Sequence, residues 1–498
     1  MRFRSTALLA LLAALVAAGN ASAAAGPAPG VQRLNFSYGP IVIRPGTNLI
    51  NIGDKPVPKP AVDGYITRLR PNLTLADGRT IPPTDRIHLH HGVWLNAGSR
   101  QYPRSDVTEP GLPERFFASG EEKTVFRVPA PYGYFVRASD TWILNYMIHD
   151  LTNRGAKVIV KYQMDFVPAD SALGRSMKPA KPVWMDVENG SAYPVFDVLK
   201  GSGRHGQFTF PNQAANAYSG APRNTWTVPR DTTLLGTAGH MHPGGLYDDL
   251  RLDRPGAGSR LLFRSQAHYF GNRPPVSWDM AMTQTPPGWR VRLHQGDTLR
   301  VSATYDTSRS SWYESMGIMI AFVADDAPGV NAFATRIATR GKITHGHLAE
   351  NNHRGGTRAT GVVDPTKLPD GSAPGGIVPI GGFRYHFGDL HDAGASAYPP
   401  VVAVGQSLTF ENKDVNSNVF HSVTSCRAPC NLATGTSFPT ANGPVNFDSG
   451  QLGFGPPGFT AAANRDSWHT PANLTPGTYT YFCRVHPFMR GAFRVVRP

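Results

Sequence analysis

The sequence predicts an all-β protein built from several sandwich-type domains. Three observations carry this. Turn-forming residues are abundant, Gly 52 and Pro 44 against 17% charged residues, which favours many turns and short strands over long helices. Runs rich in β-branched and aromatic residues recur between those turns, as in Lys157–Phe166 and within Trp289–Ser308, at sandwich or barrel spacing. The length, 498 residues, exceeds what one hydrophobic core serves and suggests about three domains.

The first element, Met1–Ala23, reads as a secretory signal. Arg2 and Arg4 give a basic start, Ala7–Ala18 is apolar, and Ala21-Ser22-Ala23 is a small-residue cleavage site. It is too short and wrongly flanked for a membrane anchor, and no later run is long and apolar enough to span a bilayer. The mature protein is expected to be secreted or periplasmic. The net charge is +14, but the basic residues are dispersed. No basic block is interleaved with aromatics, so nucleic acid is not an expected partner. The excess suits either steering of an acidic redox partner or substrate, or solubility alone.

The first expected domain is 24–168. Its strands are expected at Ile41–Ile43, Lys123–Val128, Thr141–Ile148 and Lys157–Phe166. A further segment reads IHLHHGVWLN, Ile87–Asn96. Strand alternation puts His88 and His90 on one face and His91 on the other, unless a bulge intervenes. Three imidazoles in four residues are a costly choice for a core strand, and neutral imidazole is the commonest metal ligand. The plainer reading is a polar strand face with one hydrogen-bonded core histidine. His149, ending another strand, is a plausible third ligand once His88, His90 and His91 are considered.

The second expected domain is 169–327. Thr237–Gly245 reads TAGHMHPGG. His240 and His242 stand two apart on one strand face, a spacing that lets two imidazoles meet one metal. Met316 and Met319 follow on a later strand. Either is an ordinary core methionine, or one is a thioether ligand beside His240 and His242. The segment 328–380 is an expected linker. It carries a further pair, His345 and His347, with Glu350 and His353 close behind. An extra metal site and a solvated loop are both open there. His386 and His391 lie near the start of the last domain.

That last domain, 381–498, contains Tyr481–Gly491, YFCRVHPFMRG. Cys483, His486 and Met489 bring a thiol, an imidazole and a thioether into seven residues. With a second imidazole they make the ligand set of a blue-copper electron-transfer centre. His421, after the strand-like run Ser407–Asn412, is placed to supply it. Cys426 and Cys430, the remaining cysteines, are expected to form a disulfide closing a tight loop in an oxidising compartment.

The run Pro476-Gly-Thr-Tyr-Thr-Tyr-Phe-Cys-x-x-His-Pro-Phe-Met-Arg-Gly resembles the ligand loop of cupredoxins, most like the short loop of amicyanin. The resemblance covers roughly 381–498 and implies a Greek-key β-sandwich with type 1 copper on His421, Cys483, His486 and Met489. A long insertion between Asn431 and Asp466 departs from it. The order His90-His91, His149, His240-x-His242, Met316 resembles the copper type II, ascorbate-dependent monooxygenases, such as peptidylglycine hydroxylating monooxygenase and dopamine β-monooxygenase. That resemblance covers about 87–323 and implies two jelly-roll-like domains. One would hold an electron-transfer copper on His90, His91 and His149. The other would hold an O2-binding copper on His240, His242 and Met316 that hydroxylates a C–H bond. His88 is extra and is open as a ligand instead of His90. The family is disulfide-rich and this region has no cysteine. Ala238 stands where the peptide-amidating enzyme places a substrate-binding arginine. Gly317 and Ile318 stand where that enzyme has polar contacts.

The functional expectation is a secreted copper oxidoreductase with one type 1 and about two type 2 coppers. It would use O2 on an organic substrate, with the last domain relaying electrons from a small-molecule or protein donor. A non-catalytic exported copper-handling or electron-transfer protein is the alternative. A multicopper oxidase, suggested by three His-x-His pairs, is disfavoured because Phe482 and Arg484, not histidines, flank Cys483.

Overall fold

The computed structural model describes residues 27–53, 55–84, 86–188, 195–211, 223–270, 279–309, 311–348, 361–414, 419–426, 428, 430, 446–453, 465–486 and 488–498. The expected signal segment, Glu350 and His353 lie outside the described residues. The fold is all-β: among the described residues the only helical elements are four short 3-10 turns. No helix among them is long and apolar enough to cross a membrane.

Alternation of apolar and polar residues makes the strands. In Ala156–Pro168, the side chains of Val158, Val160, Tyr162 and Met164 are buried while Lys157, Ile159, Lys161 and Gln163 are less so. Each such burial is worth about 1.5–3 kcal/mol. This strand lies between Gln32–Ile43 and Gly64–Leu75 in one large sheet. The sheet does not stop at the first region. Tyr132–Val136 pairs in parallel with Lys178–Asp186, and the ladder continues through Ile318–Ala324 to Thr232–His240. Thr232–His240 is buried along its whole length, as expected of a strand covered on both faces.

A second sheet of four strands runs Asn48–Ile52, Thr141–Asp150, Ile87–Gly98, Glu114–Gly120. It carries His88, His90, His91 and His149. Trp94, fully buried, packs against Phe117 and Tyr162 and ties this sheet to the large one. The strand expected at Lys123–Val128 is reduced to Phe126–Arg127. Gly120–Lys123 forms a turn instead: the Lys123 N–H donates to the Gly120 carbonyl at 3.0 Å, with Lys123 at φ +47°.

The C-terminal region is two four-stranded sheets, Arg384–Tyr385, Ile377–Gly381, Thr409–Asn412, Ser467–His469 and Val401–Ala403, Arg490–Val496, Gly477–Phe482, Thr424–Cys426. Tyr385, Phe410, Tyr481 and Phe493 fill the space between them. This region is docked on the rest. Leu151 of the first region packs into its core. Arg484, fully buried, pairs with Asp448 at 3.0 Å and donates to the Ser311 carbonyl, and Tyr313 donates to Asp448.

Candidate metal centres

The C-terminal centre is assembled from two loops. Cys483 follows the Gly477–Phe482 strand, and the turn back to Arg490–Val496 is closed by the Met489 N–H donating to the His486 carbonyl at 2.9 Å. His421 comes from a segment bridged to Leu452. Nδ1 of His421 and Nδ1 of His486 each lie 3.9 Å from Cys483 Sγ and 3.3 Å from each other. All three residues are fully buried, and Met489 is buried in the same cluster. Burial alone would push the Cys483 thiol up. The His421 and His486 imidazoles outweigh it and hold the thiol well below its ordinary range. The Ser422 and His486 N–H groups each donate to Sγ at 3.3 Å. The outer nitrogens are fixed too: His421 Nε2 donates to Asp414 at 3.0 Å and His486 Nε2 to the Gly46 carbonyl at 3.0 Å. Imidazoles held at Nε2 present Nδ1 lone pairs inward. A thiolate, two inward Nδ1 atoms and a nearby thioether fit a type 1 copper. Cys426 and Cys430 are joined by a disulfide, Cα–Cα 5.5 Å, beside Phe482.

The N-terminal histidines form one cluster. His88 sits directly opposite His149 across adjacent strands, and the ladder shifts register between Leu89 and His91. Donor atoms of His88, His90 and His149 lie within 4.8 Å of one another. His91, past that shift, pairs with Met147 and lines a cavity with His240 and Met316. The trio implied by the monooxygenase resemblance, His90, His91 and His149, is therefore not the one whose donor atoms converge; His88 stands in it instead of His91, because the bulge at His90 breaks the strand alternation and carries His91 toward His240. Nor do the two expected sites stay apart. The rings of His90 and His242 stack at 3.9 Å, and His90, Glu121 and His242 form a second group of donors within 4.8 Å.

Glu121 and Glu122 are the residues that sequence reasoning missed. Both are almost completely buried, a large cost unless they are paired. The turn after Glu114–Gly120 aims them at the His-x-His pair. His242 Nδ1–H donates to Glu121 at 2.5 Å, and His240 Nδ1 lies 2.9 Å from Glu122. Burial would raise the Glu121 carboxyl, but His242 and His90 hold it well below the carboxylate range. One carboxylate cannot keep two neighbouring imidazoles charged. Burial lowers His242 to about 4, whereas Glu121 offsets burial at His90 and raises it. His242 is thus neutral, with its proton on Nδ1 and a lone pair on Nε2.

The donor set fits a metal on an observation independent of spacing. Nε2 of His240, of His242 and of His90 is in each case buried and makes no hydrogen bond among the described residues. Each such orphan costs about 1–3 kcal/mol unless something binds it. His88 Nδ1–H donates to the Thr84 carbonyl at 2.6 Å, which directs its Nε2 lone pair toward the cluster. His149 Nε2 lies 3.0 Å from Glu314, which also accepts from Asn48 at 2.8 Å. Burial would raise Glu314, yet His149 brings it down to about 2. Glu314 is a non-glycine at φ +52°, a conformation that persists only where its surroundings impose it.

Two cavities flank the cluster. One, of about 280 Å³, is lined by His91, His240 and Met316 together with Val93, Leu95, Ile143, Trp184 and Ile318. Arg115 and Arg223 also line it, but both are engaged by carboxylates, Arg115 with Asp106 and Glu109, Arg223 with Glu109. The other, about 30 Å³, is lined by His90, Glu121, His149 and His242, and by Gln451 and Val485 of the C-terminal region. Met316 and Met319 separate here. Met316 lies on the first cavity, its N–H and carbonyl both held by the Tyr305 hydroxyl. Met319 is packed in the second region's core.

His345 and His347 are placed away from these donors. His345 Nε2 donates to the Glu122 carbonyl at 2.6 Å, and His347 Nδ1 donates to Asp279. The close donor groups among the described residues do not include them. His345 straps the linker to the turn that carries Glu121 and Glu122, and His347 ties it to Asp279.

No protein-family model matches the chain. No curated protein matches it. Among solved structures, a reduced amicyanin variant is 19% identical and aligns with 27% of this chain and 91% of its own, at a TM-score of 0.16. A purple cupredoxin from Nitrosopumilus maritimus is 20% identical over 24% of this chain and 96% of its own, TM-score 0.15. A copper-containing nitrite reductase from Thermus scotoductus SA-01 is 14% identical over 53% of this chain and 55% of its own, TM-score 0.16. At these scores the assignment rests on the donor geometry instead.

Proposed function

We propose that the chain is a copper oxidoreductase that uses O2 to oxidise an apolar organic molecule, with the C-terminal centre as its built-in electron relay. One observation carries this reading. His240 and Met316 stand in the wall of the largely apolar 280 Å³ cavity, while His242, two residues on, faces the cavity closed by Val485 and Gln451. The cluster thus lies between a space for substrate and the blue-copper loop. The volume lies at the lower end of the roughly 300–1,000 Å³ of small-molecule sites.

Bound copper would supply one-electron chemistry and O2 activation. His88, His90 and His149 would hold one ion, and His240, His242 and Met316 another. The chain does the rest. Glu121 and Glu122 hold His242 and His240 in the tautomer that offers Nε2, as carboxylates behind ligand histidines do. Trp184, Ile143 and Ile318 keep water from the substrate space, and Arg115 and Arg223, already neutralised, leave it without a free charge to anchor an anion. An uncharged substrate follows. The signal segment and the cationic surface suit an exported protein with an acidic or small-molecule donor.

Copper-loaded protein with ascorbate should consume O2 faster when small hydrophobic molecules are added, and labelled O2 should appear in a hydroxylated product. Uptake that no apolar compound stimulates would sink the oxygenase reading and favour copper handling.

A further inference from the structure

The contact between His486 and Gly46 joins the two metal-binding regions through hydrogen and covalent bonds alone. His486 Nε2–H donates to the Gly46 carbonyl at 3.0 Å, wholly buried. The next residue, Thr47, accepts at its carbonyl from the Asp150 N–H at 3.1 Å. Asp150 is bonded to His149, whose donor atom lies with those of His88 and His90. We propose that this backbone, Gly46–Thr47 to Asp150–His149, is the route by which an electron leaves the C-terminal centre for the histidine cluster. The proposal rests on the copper reading of both sites.

The alternatives are weaker by their own geometry. Val485 is also linked to Cys483 through Arg484, but it meets His149 and His242 only across the small cavity, about 30 Å³, with no hydrogen or covalent bond bridging it among the described residues. Tunnelling falls off much more steeply through empty or water-filled space than through bonds. A third branch leaves the same junction through the Asn48 side chain, 2.8 Å from Glu314, which stands 3.0 Å from His149. It adds two side chains and a second hydrogen bond to the path.

The junction is also built for closeness. Gly46 has φ +63°, which suits glycine. A Cβ there would stand 2.9 Å from His486 Nε2 and inside the Phe383 ring. Only a residue without a side chain lets the carbonyl approach the imidazole edge. Phe383 packs edge-on against His486, with centroids 5.1 Å apart, and Leu151 enters the C-terminal core next to Asp150. The Nε2 edge of His486 is thereby buried inside the chain.

The step is a one-electron exchange. The C-terminal copper is oxidised from Cu(I) to Cu(II) and the copper on His149 is reduced from Cu(II) to Cu(I). The proton on His486 Nε2 stays where it is. An outside one-electron donor, ascorbate or a reduced metalloprotein, restores the first centre.

The test is pulse reduction of the fully oxidised, copper-loaded protein. A one-electron radical reductant bleaches the visible band of the C-terminal centre. The band then recovers at a rate independent of protein concentration as the electron moves on. Gly46→Ala should slow that recovery severalfold with the band and EPR spectrum intact, and Asn48→Ala should leave it near the wild-type rate. An unchanged rate in Gly46→Ala, or equal slowing in Asn48→Ala, overturns the route while the relay stands. No recovery in the wild type overturns the relay itself. Should Gly46→Ala fail to fold, pulsed EPR of the wild type in D2O serves instead. The proton on the remote nitrogen of His486 should resist exchange, and rapid exchange would contradict the hydrogen bond.

Discussion

Cys483→Ser is expected to abolish the intense visible absorption of the copper-loaded protein while leaving the EPR signals of the histidine cluster. The band requires a thiolate bonded to copper. Cys483 is the only cysteine outside the disulfide and is already poised as thiolate by His421 and His486. Serine is smaller and stays protonated, so neither the charge-transfer band nor the ligand set survives. The fold should survive, because Tyr481, Phe410 and Phe493 still fill the core between the C-terminal sheets. Turnover with an outside donor should fall too, since the relay is cut. A variant that keeps its band would refute the blue-copper assignment.

His242→Ala should have the opposite signature. The visible band stays and O2-dependent turnover falls by on the order of 100-fold or more, since loss of a partner behind a ligand already costs about 10–100-fold. The variant removes a buried Nε2 that no protein group satisfies and leaves Glu121 facing His90 alone. Turnover rates and the visible spectrum on the same preparation check both halves. Turnover that survives would mean the cluster is not where O2 is used.

These two variants separate centres that differ in how legible they are. The C-terminal ligand loop is local: Cys483, His486 and Met489 lie on one turn, so spacing alone suggests their chemistry. His240 and His242 are nearly as local in sequence, but the strand ends at His240 and the two rings, 4.9 Å apart, line different cavities. What spacing cannot convey is which surfaces meet. His90 and His242 are 152 positions apart by their numbering, and they stack only because Tyr132–Val136 joins Lys178–Asp186 and makes one sheet of both regions. Glu121 and Glu122 look like solvated surface acids in a Gly-Glu-Glu-Lys run; their role appears when the turn buries them. His88 and His91 are equally good imidazoles on paper, and the bulge between Leu89 and His91 decides between them. His345 and His347 repeat the spacing of a ligand pair but meet a carbonyl and a carboxylate.

The central claim is that one chain holds a blue-copper centre and a separate copper-binding histidine cluster. The most direct measurement is copper per chain on copper-loaded mature protein, with the EPR spectrum resolved into its components. The account predicts one type 1 copper and about two type 2 coppers, the latter from imidazole-rich donor sets. Type 1 copper alone would contradict it and leave the buried histidines, with their unsatisfied nitrogens, as a scaffold for something else.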